Sequence, residues 1–464
     1  MLVRIRRATT VVVGLLLGFV LMVLSSPSGD GWRVSDLARI TQLTAAERQA
    51  FLDAHAGVPA QIVGSTPQEL AIWWTEELRE GQRLRLLATV PEVIGNLPGA
   101  DYATRDQANR MHLRTAIAEA QTRVAEDARN GVAAERLAAL QAIEGALRAP
   151  SVAPRYLVQL TDDEPPLTAI AIGDLDTASR VTFVVPGMGT ESTDMQLWAR
   201  AAENVYAAQG EAGAPASRAV VAWMGYRAPP VGLEATRDTY AEGGAPLLRR
   251  DVEALVAVRS STWQPGISVV AHSYGATMAA LALAQGDLGV YSFVMLGSAG
   301  VNPRLTADDL HADHVYAGEA RADTQARWGR IDRRDPRTVA FGARVIRTNG
   351  GDGLRAVTGH APVLHSPWND DPASPLWMAI SDPEQRALEY TEHMASAGYL
   401  DPGTESLAQV ARITYAPLKR AWTVAERDEV TRLRAAANGA DRDPIGAQGV
   451  PGSSLLDLLG VAND

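Results

Sequence analysis

Residues 267–280 restrict the fold of this chain more than any other stretch of its sequence. The first five of them are rich in β-branched side chains, which favour a strand, and the residues after Ser273 are small and favour a helix. Ala271 and Gly275 flank the serine at the two positions where a strand and the helix after it come too close for larger side chains. The stretch therefore predicts a buried strand, a sharp turn at Ser273 and a helix that packs against the strand.

The alternation of short β-rich runs with amphipathic helical runs continues on both sides of this stretch, from about residue 151 to residue 346. Strands that alternate with helices form mostly parallel sheets with helices on both faces, so the pattern predicts an α/β fold. The predicted strands are residues 155–160, 168–172, 181–185, 219–223, 267–271, 291–296, 314–316 and 343–346. The predicted helices between them are residues 193–208, 247–258 and 274–284.

The residues that precede the predicted sheet have a different composition. Ala, Leu, Arg and Glu dominate residues 31–150, and apolar side chains recur there at helical spacing. Thr44 with Glu47, and Thr66 with Glu69, have the form of capping boxes, in which side chains of the first turn satisfy free backbone N–H groups. We therefore predict an α-helical N-terminal region over residues 31–150.

Residues 151–415 form the predicted α/β domain, and residues 416–464 are predicted to form a C-terminal helix and a loose tail. Within the domain, residues 349–383 are rich in Gly, Pro, Asp and Trp, which predicts a long excursion beside the sheet. The excursion is either a structural insert or an apolar lid. The side chains that would form such a lid are Trp368, Leu376 and Trp377.

The N-terminus carries an export pattern. Three arginines within the first seven residues precede an unbroken apolar run over residues 11–24, and small polar residues follow. This order predicts that residues 1–30 are a signal peptide or, because no A-x-A cleavage site follows, an N-terminal membrane anchor that attaches through residues 9–26. Both interpretations predict an extracytoplasmic protein, either membrane-anchored or secreted.

Composition excludes several classes of function. Lys and Arg number 43 and Asp and Glu number 54, and the resulting net charge of −11 argues against a nucleic-acid partner. The chain has no cysteine, which excludes disulfides, Cys-ligated zinc and a thiol nucleophile. The sequence has no glycine-rich phosphate loop with its lysine, so the chain is not a P-loop nucleotide hydrolase.

Ser273 has the sequence surroundings of a nucleophile. At the strained apex of a strand–turn–helix its hydroxyl would stand above the sheet, where it can attack an acyl group. Such a serine needs hydrogen-bond donors aimed at the oxyanion that develops in the transition state. One donor is normally the backbone N–H of the next residue, here Tyr274. The second is expected on the Pro-Gly-Met-Gly turn that ends the predicted strand 181–185, and we assign it to Met188.

A base and its orienting acid are expected in the chain order serine, acid, histidine. The acid should follow the strand at residues 314–316, and Asp323 is nearest to its end, with Asp332 and Asp335 further on. Three histidines follow the last predicted strand, and their composition and spacing alone do not select one of them. These candidate bases are His360, His365 and His393.

Several further motifs lie between about residues 73 and 413. They are Trp73-Trp74, 91–99 (PEVIGNLPG), 105–110 (RDQANR), 173–178 (GDLDTA), 185–190 (VPGMGT), the serine stretch 267–280, and 399–407 (YLDPGTESL). In combination they resemble the alpha/beta-hydrolase family of actinobacteria, long catalogued as a domain of unknown function. Members of that family look like secreted or surface lipases and esterases.

The resemblance implies an alpha/beta-hydrolase fold with an appended helical region, and a serine hydrolase of the esterase or lipase kind. It places the family's histidine just before the segment that begins at Tyr399, which favours His393, and its acid after the strand at residues 314–318, which supports Asp323. His393 precedes Tyr399 by six residues, about twice the expected interval, so the other two histidines stay open.

The sequence therefore predicts an extracytoplasmic serine hydrolase of carboxylic ester or thioester bonds that works through an acyl-enzyme. Its expected partner is a small-molecule or lipid ester; no cofactor and no metal are expected, and the oligomeric state is open. Transfer of the acyl group to an acceptor would use the same residues. An alternative from another class is a catalytically silent hydrolase fold that serves as a surface binding protein, which the spacing of His393 would fit.

Overall fold

A computed structural model describes residues 31–259, 264–366 and 369–415, and a sheet lies at the centre of this part of the chain. Its strands are β1 (Arg155–Leu160), β2 (Thr168–Ile172), β3 (Arg180–Val185), β4 (Arg218–Met224), β5 (Gly266–His272), β6 (Val290–Leu296), β7 (Ala312–Gly318) and β8 (Arg344–Val345). Their order across the sheet is β1-β2-β4-β3-β5-β6-β7-β8.

The sheet is parallel except at one edge. β2 runs antiparallel to both β1 and β4, and every other neighbouring pair is parallel. All eight predicted strands are present, with ends within two residues of the prediction. The predicted α/β fold with a mostly parallel sheet is therefore confirmed.

β5, in the middle of the sheet, is buried on both faces. Ile267, Val269 and Ala271 pack into the apolar core on one face, and Val270 packs into the core on the other. A strand covered by helices on both faces needs apolar side chains throughout, which explains its unbroken run of β-branched residues. β5 thus places Ser273, the next residue, at the carboxyl edge of the sheet.

Among the described residues, seven α-helices precede the sheet. They are α1 (Val34–Ile40), α2 (Ala45–Ala54), α3 (Pro67–Ile72), α4 (Glu80–Thr89), α5 (Pro91–Ile94), α6 (Tyr102–Glu126) and α7 (Gly131–Arg148). The two predicted capping boxes are present at the starts of α2 and α3. The first five helices surround an apolar core of their own that contains Trp32 and Trp74, whereas α6 and α7 send Leu113 and Leu140 into the core of the sheet. The domain boundary at residue 150 stays a prediction.

The motif at residues 105–110 joins α6 to the edge of the sheet. The carboxylate of Asp106 accepts a hydrogen bond from the N–H of Leu157 in β1, at 2.6 Å. Arg110 donates to both oxygens of Asp106 and to the carbonyl of Arg155. These contacts satisfy the charged groups of the motif locally and fix the helix on β1, so the motif has a structural role.

Helices cover both faces of the sheet. The remaining helices are α8 (Met195–Glu211), α9 (Thr239–Val258), α10 (Tyr274–Ala284), α11 (Gln325–Trp328), α12 (Pro375–Met378), α13 (Pro383–Ala395) and α14 (Glu405–Tyr415). α9 and α10 bury their apolar side chains on one face, and α6, α7, α8 and α14 bury theirs on the other. The two layers fix the positions of the loops at the carboxyl edge.

The predicted excursion at residues 349–383 contains a two-stranded hairpin of β9 (Asn349–Gly351) and β10 (Leu354–Ala356), a long loop and α12. Trp377 is buried in it and donates its indole N–H to the carbonyl of Asn369, while Leu376 is exposed. Trp377 therefore packs inside the segment itself. Trp368, the third side chain of the predicted lid, lies outside the described residues.

Two predictions fall on residues outside the described ranges. They are the signal peptide or anchor at residues 1–30 and the C-terminal helix and tail at residues 416–464. Within the described ranges, no helix combines the length and the apolar character that crossing a membrane requires.

Candidate active site

Ser273 lies in a strained turn between β5 and α10. Its backbone has φ +54° and ψ −124°, in a region that residues other than glycine rarely adopt. Gly275 is required beside it, because a Cβ there would lie 2.3 Å from the carbonyl oxygen of Pro186. The turn is thus held by the close approach of the residues after β3, as the small residues of this stretch predict.

His360 is the histidine that contacts Ser273. Its Nε2 lies 2.9 Å from Ser273 Oγ, and its Nδ1 lies 2.8 Å and 3.0 Å from the two carboxylate oxygens of Asp323. A serine, an imidazole and a carboxylate therefore form one continuous chain of hydrogen bonds. This is the arrangement of a nucleophile, its base and the acid that orients the base.

The preference for His393 as the base is wrong. His393 lies on α13, and its Nε2 contacts Asp370 at 2.9 Å, not Ser273. The loop that carries His360 instead pairs with the segment after α13, because the N–H groups of Tyr399 and Leu400 donate to carbonyls at residues 361 and 362. Since this pairing joins residues far apart in sequence, the distance along the chain from a histidine to Tyr399 did not reveal it.

Asp323 is completely buried at the predicted place after β7. Burial by itself would raise the pKa of its carboxyl, but hydrogen bonds from His360, from the N–H of Ala326 and from the hydroxyl of Tyr399 outweigh it, and the net pKa is lowered. The carboxylate therefore stays ionised beside the imidazole. The alternative Asp335 forms ion pairs with Arg330 and Arg337.

Tyr399 is part of the site, although the sequence marked it only as the start of a motif. Its hydroxyl donates to Asp323 Oδ2 at 2.8 Å and accepts from the N–H of Ala320 at 2.9 Å. Burial, together with the negative charge of Asp323, raises the pKa of this phenol. Tyr399 thus remains a neutral donor that fixes the carboxylate. The only sequence signal was its place at the start of the 399–407 motif.

His272, next to the serine, positions the loop of His360. Its Nε2 lies 2.6 Å from the carbonyl oxygen of His360, and its ring packs against the His360 ring at 4.7 Å. Burial, and then the proximity of His360, lower the pKa of His272 to about 3. The ring is therefore neutral at ordinary pH and donates its N–H to that carbonyl.

Two backbone N–H groups belong to the turns that lie next to Ser273. Neither the N–H of Met188 nor that of Tyr274 donates a hydrogen bond to any group in the described ranges. The turn between them is very close to the serine, because a Cβ on Gly187 would lie 2.6 Å from Ser273 Cβ and 3.1 Å from the nitrogen of Tyr274. Met188 and Tyr274 can therefore serve as the two predicted oxyanion donors, a role that stays a prediction.

Polar contacts hold both sides of this donor pair. The hydroxyl of Tyr226 donates to the carbonyl of Pro186 at 2.8 Å, and the N–H of Gly189 donates to the carbonyl of Pro229 at 2.8 Å. The hydroxyl of Tyr274 accepts from the N–H of Ala241 and lies against α9. Hydrogen bonds therefore hold the turn after β3 in place, and fixed donors are what electrostatic stabilisation of an oxyanion requires.

Asp401 fixes the loop that carries the base. Its buried carboxylate accepts hydrogen bonds from the N–H groups of Leu364, His365 and Gly398. One carboxylate thus joins the loop that follows His360 to the segment at Gly398, although the two are more than thirty residues apart in sequence. The 399–407 motif therefore supports the site through Asp323 and the loop of His360. Among the described contacts, none of its groups touches Ser273.

Comparison with known proteins agrees with this geometry. Residues 163–331, which include Ser273 and Asp323, match the model of a family described as alpha/beta hydrolase. An uncharacterized protein of Mycobacterium bovis is 32% identical over 241 residues, which cover 49% of this chain and 86% of that protein. The chain therefore belongs to the alpha/beta-hydrolase family, and the resemblance carried by its motifs is confirmed.

Three further proteins are similar to parts of this chain. An uncharacterized protein of Mycobacterium tuberculosis is 30% identical over 305 residues, which cover 58% of this chain and 45% of that protein, so the chain spans less than half of its length. An α/β serine hydrolase without a lid from Xanthomonas campestris aligns over 46% of this chain and 88% of its own, with 16% identity and a TM-score of 0.29. A hyperthermophilic esterase from Pyrobaculum calidifontis aligns over 64% of this chain and 96% of its own, with 12% identity and a TM-score of 0.34.

Proposed function

We propose that this protein is a serine hydrolase of carboxylic esters that works through an acyl-enzyme. The observation that supports the proposal is the continuous chain of hydrogen bonds from Ser273 through His360 to Asp323. Membership of the alpha/beta-hydrolase family agrees with it. Thioesters and acyl transfer to an acceptor other than water use the same chemistry.

In the first half of the reaction, Ser273 Oγ attacks the carbonyl carbon of the ester, and His360 Nε2 takes the hydroxyl proton. The carbonyl oxygen becomes an oxyanion that accepts hydrogen bonds from the N–H groups of Met188 and Tyr274. The tetrahedral intermediate then collapses, and the alcohol leaves with the proton from His360. Asp323 holds the imidazole in place and stabilises its positive charge.

In the second half, water attacks the carbonyl carbon of the acyl-enzyme while His360 Nε2 takes one of its protons. The same two N–H groups stabilise the second oxyanion. Collapse of this intermediate breaks the bond to Ser273 Oγ, which regains its proton from His360, and releases the carboxylic acid. No group outside the described site is needed for either half.

Exposed apolar side chains around the site favour an ester with an apolar part. Val231 lies against Gly189 in the turn after β3, and Leu233 follows it; both are largely exposed. Trp328 ends α11, the short helix that begins two residues after Asp323, and it is 77% exposed. Contiguous exposed apolar groups commonly mark a surface for apolar ligands, and we propose that these three side chains contribute to one.

We also propose that the reaction takes place outside the cytoplasm. Basic residues followed by an apolar run at residues 11–24 support export, either with cleavage or with an anchor retained at residues 9–26. Fractionation of cells that produce a Val339→Cys variant of the full chain, with labelling by a membrane-impermeant maleimide, would separate the cases, because the natural chain has no cysteine and this position is 99% exposed. Protection of the whole protein from the reagent in intact cells would contradict export.

The decisive experiment is labelling of the full chain with a fluorophosphonate probe, which modifies activated serines. We expect wild type to be labelled, and Ser273→Ala and His360→Gln to lose labelling by about 1,000-fold or more, because each removes a member of the triad. His112→Gln is the matched control, since it removes a histidine on α6 that is paired with Asp162. A series of p-nitrophenyl esters of increasing acyl length would then test the preference for apolar esters.

The possible results separate the alternatives. A folded wild type that takes no label would count for the silent binding protein and against the hydrolase. Labelling that persists in His360→Gln while Ser273→Ala abolishes it would mean that another group activates the serine.

A further inference from the structure

Two histidines and one aspartate meet outside the candidate active site. His365 Nδ1 lies 2.8 Å from Asp370 Oδ1, and His393 Nε2 lies 2.9 Å from the same oxygen. The three potential ligand atoms lie within 4.8 Å of one another. Two imidazoles and a carboxylate are ligands that divalent transition metals prefer, and zinc sites of three protein ligands commonly keep a fourth position for water.

The hydrogen bonds of His365 orient its Nδ1 for a cation. Its Nε2 lies 2.8 Å from the carbonyl oxygen of Ser396, which can only accept, so Nε2 carries a hydrogen. Arg355 Nη2 is further from Nε2, at 3.2 Å, and donates to the same carbonyl. In the neutral ring the lone pair is therefore on Nδ1 and points at the carboxylate of Asp370. A metal ion between these two acceptors satisfies both.

A hydrogen bond from the outer ring nitrogen to a backbone carbonyl is also the usual support of a metal-binding histidine. Other contacts hold the remaining ligands. The hydroxyl of Tyr390 donates to the carbonyl of Asp370 at 2.8 Å, and the ring of Trp377 packs against that of His393 at 5.2 Å. Each of the three potential ligands is thus held by at least one contact with a neighbouring residue.

The two histidines of the cluster are mostly buried, whereas the aspartate is partly exposed to solvent. The side chains of His365 and His393 are 11% and 12% exposed, whereas that of Asp370 is 33% exposed. Zinc–nitrogen bonds of about 2.0–2.1 Å require tetrahedral ligands about 3.4 Å apart. The present separations of 2.8 Å and 2.9 Å need to open by about half an ångström, which small side-chain rotations provide.

We propose that His365 Nδ1, a carboxylate oxygen of Asp370 and His393 Nε2 bind one divalent transition-metal ion, with Zn²⁺ as the best fit. The ion connects the loop after His360 to α13, and water completes its coordination. It stabilises the fold and takes no part in the acyl chemistry. The proposal therefore stands independently of the proposed hydrolase activity.

The test begins with the full chain freed of metal by a chelator and dialysed. Calorimetric titration with ZnCl₂ should give one ion per chain, and the thermal midpoint should rise with Zn²⁺ because a ligand that binds only the folded state stabilises it. MgCl₂ is the control cation, and we expect it to have no effect since imidazole is a poor ligand for magnesium. Co²⁺ should give the visible absorption of a low-coordinate site with nitrogen ligands.

Variants test whether these residues are the ligands. His365→Gln, Asp370→Asn and His393→Gln should each weaken Zn²⁺ binding by about 100-fold or more, since changes even outside the ligand set cost 10–100-fold. His112→Gln, which removes a histidine paired with only one carboxylate, should bind Zn²⁺ as wild type does. Where a variant fails to fold, the Co²⁺ spectrum of wild type still tests for a site with nitrogen ligands, and a spectrum of oxygen ligands alone would contradict the two histidines.

Two results would overturn the proposal. One is the absence of saturable Zn²⁺ binding and of a Co²⁺ spectrum in folded wild type, which would mean that the three residues form a hydrogen-bonded cluster only. The other is binding that the three variants leave unchanged, which would place the ion elsewhere.

Discussion

At the scale of single residues, the buried carboxylate of Asp323 depends on the donors around it. His360 donates to it from one side, and the N–H of Ala326 and the hydroxyl of Tyr399 donate from the others. An ionised group in a dry site is stable only when its oxygens are hydrogen-bonded. Tyr399 therefore matters to the fold and to the orientation of the base at once.

We expect Tyr399→Phe to lower the free energy of unfolding by about 2 kcal/mol, because the change removes one donor from a buried carboxylate and leaves the N–H of Ala320 without its acceptor. Loss of that donor also raises the pKa of Asp323, since the hydrogen bond helps to lower it. Loss of activity in acid should then begin at a higher pH than in wild type. Urea unfolding and a pH profile of ester hydrolysis measure the two effects.

Tyr206→Phe is the matched control for the missing hydroxyl. Tyr206 packs under Arg218 through its ring, and its hydroxyl makes no hydrogen bond to a residue of the described ranges. The control should retain wild-type stability within about 0.5 kcal/mol. Equal losses in the two variants would show that the hydroxyl of Tyr399 has no special part in holding Asp323.

The sequence could predict those residues of the site that are marked by their immediate neighbours in the chain. Ser273 is marked by the strand and the small residues next to it, and Asp323 by its nearness to the end of β7. The signals for both are local. His360 is selected by the pairing of its loop with residues 399 and 400, a contact between distant parts of the chain that leaves no periodic pattern. The sequence alone therefore could not separate it from His365 and His393.

At the scale of elements, the site depends on the contact between two turns at the carboxyl edge. The turn after β3 and the turn after β5 lie side by side because these strands are neighbours in the sheet. Gly187 in the first turn and Gly275 in the second are the points of contact, and each approaches the backbone or the serine of the other turn too closely for a Cβ. The two turns therefore behave as one unit.

Gly187→Ala should reduce the rate of ester hydrolysis by about 100-fold or more while the protein still folds. The new Cβ would lie 2.6 Å from Ser273 Cβ, so the turn has to move and the donor at Met188 moves with it. Loss of one oxyanion donor has an effect of about that size. Hydrolysis of a p-nitrophenyl ester, with circular dichroism to check the fold, measures the change.

Gly243→Ala is the matched control, because a Cβ at this position of α9 would meet nothing within 4 Å. It should keep full activity and gain up to about 1 kcal/mol of stability from the lower flexibility of alanine. A Gly187→Ala enzyme with wild-type activity would argue against the assignment of the oxyanion donors to this turn.

The elements themselves were predicted closely except where tertiary packing overrode local preference. The strands are short apolar runs between turn residues, so their ends were found within two residues. The prediction began α9 at residue 247, whereas the helix begins at Thr239. Pro246 and the glycine pair before it favour a loop locally. Gly244 nevertheless fits under Tyr226, where a Cβ would lie 2.6 Å from the ring, and this packing keeps the helix.

At the scale of the whole molecule, a buried neutral histidine couples stability to pH. His272 is fully enclosed between β5 and the loop of His360, and its pKa is about 3 against 6.5 for an exposed histidine. Between these values the unfolded chain binds a proton at this residue and the folded protein does not. Stability from His272 is therefore complete above pH 6.5 and falls as the pH is lowered toward 3.

His272→Gln should make the free energy of unfolding less sensitive to pH below 6.5. The glutamine amide can donate to the carbonyl of His360 as the imidazole does, but it takes up no proton. One titrating group corresponds to a slope of about 1.4 kcal/mol per pH unit, and this slope should be missing from the variant. Urea unfolding at pH 7, 6 and 5 measures both slopes, and parallel curves for the two proteins would contradict the assignment.

The three members of the hydrogen-bonded chain come from the ends of three separate stretches of polypeptide. Ser273 follows β5, Asp323 follows β7, and His360 lies 87 residues beyond the serine, after β8. A half-made molecule therefore lacks the proposed base: a nascent chain that has emerged only as far as Asp323 has the proposed nucleophile and acid but not His360. Chemical reactivity of Ser273 would then report that the site is assembled, because it starts only when the loop of His360 has docked.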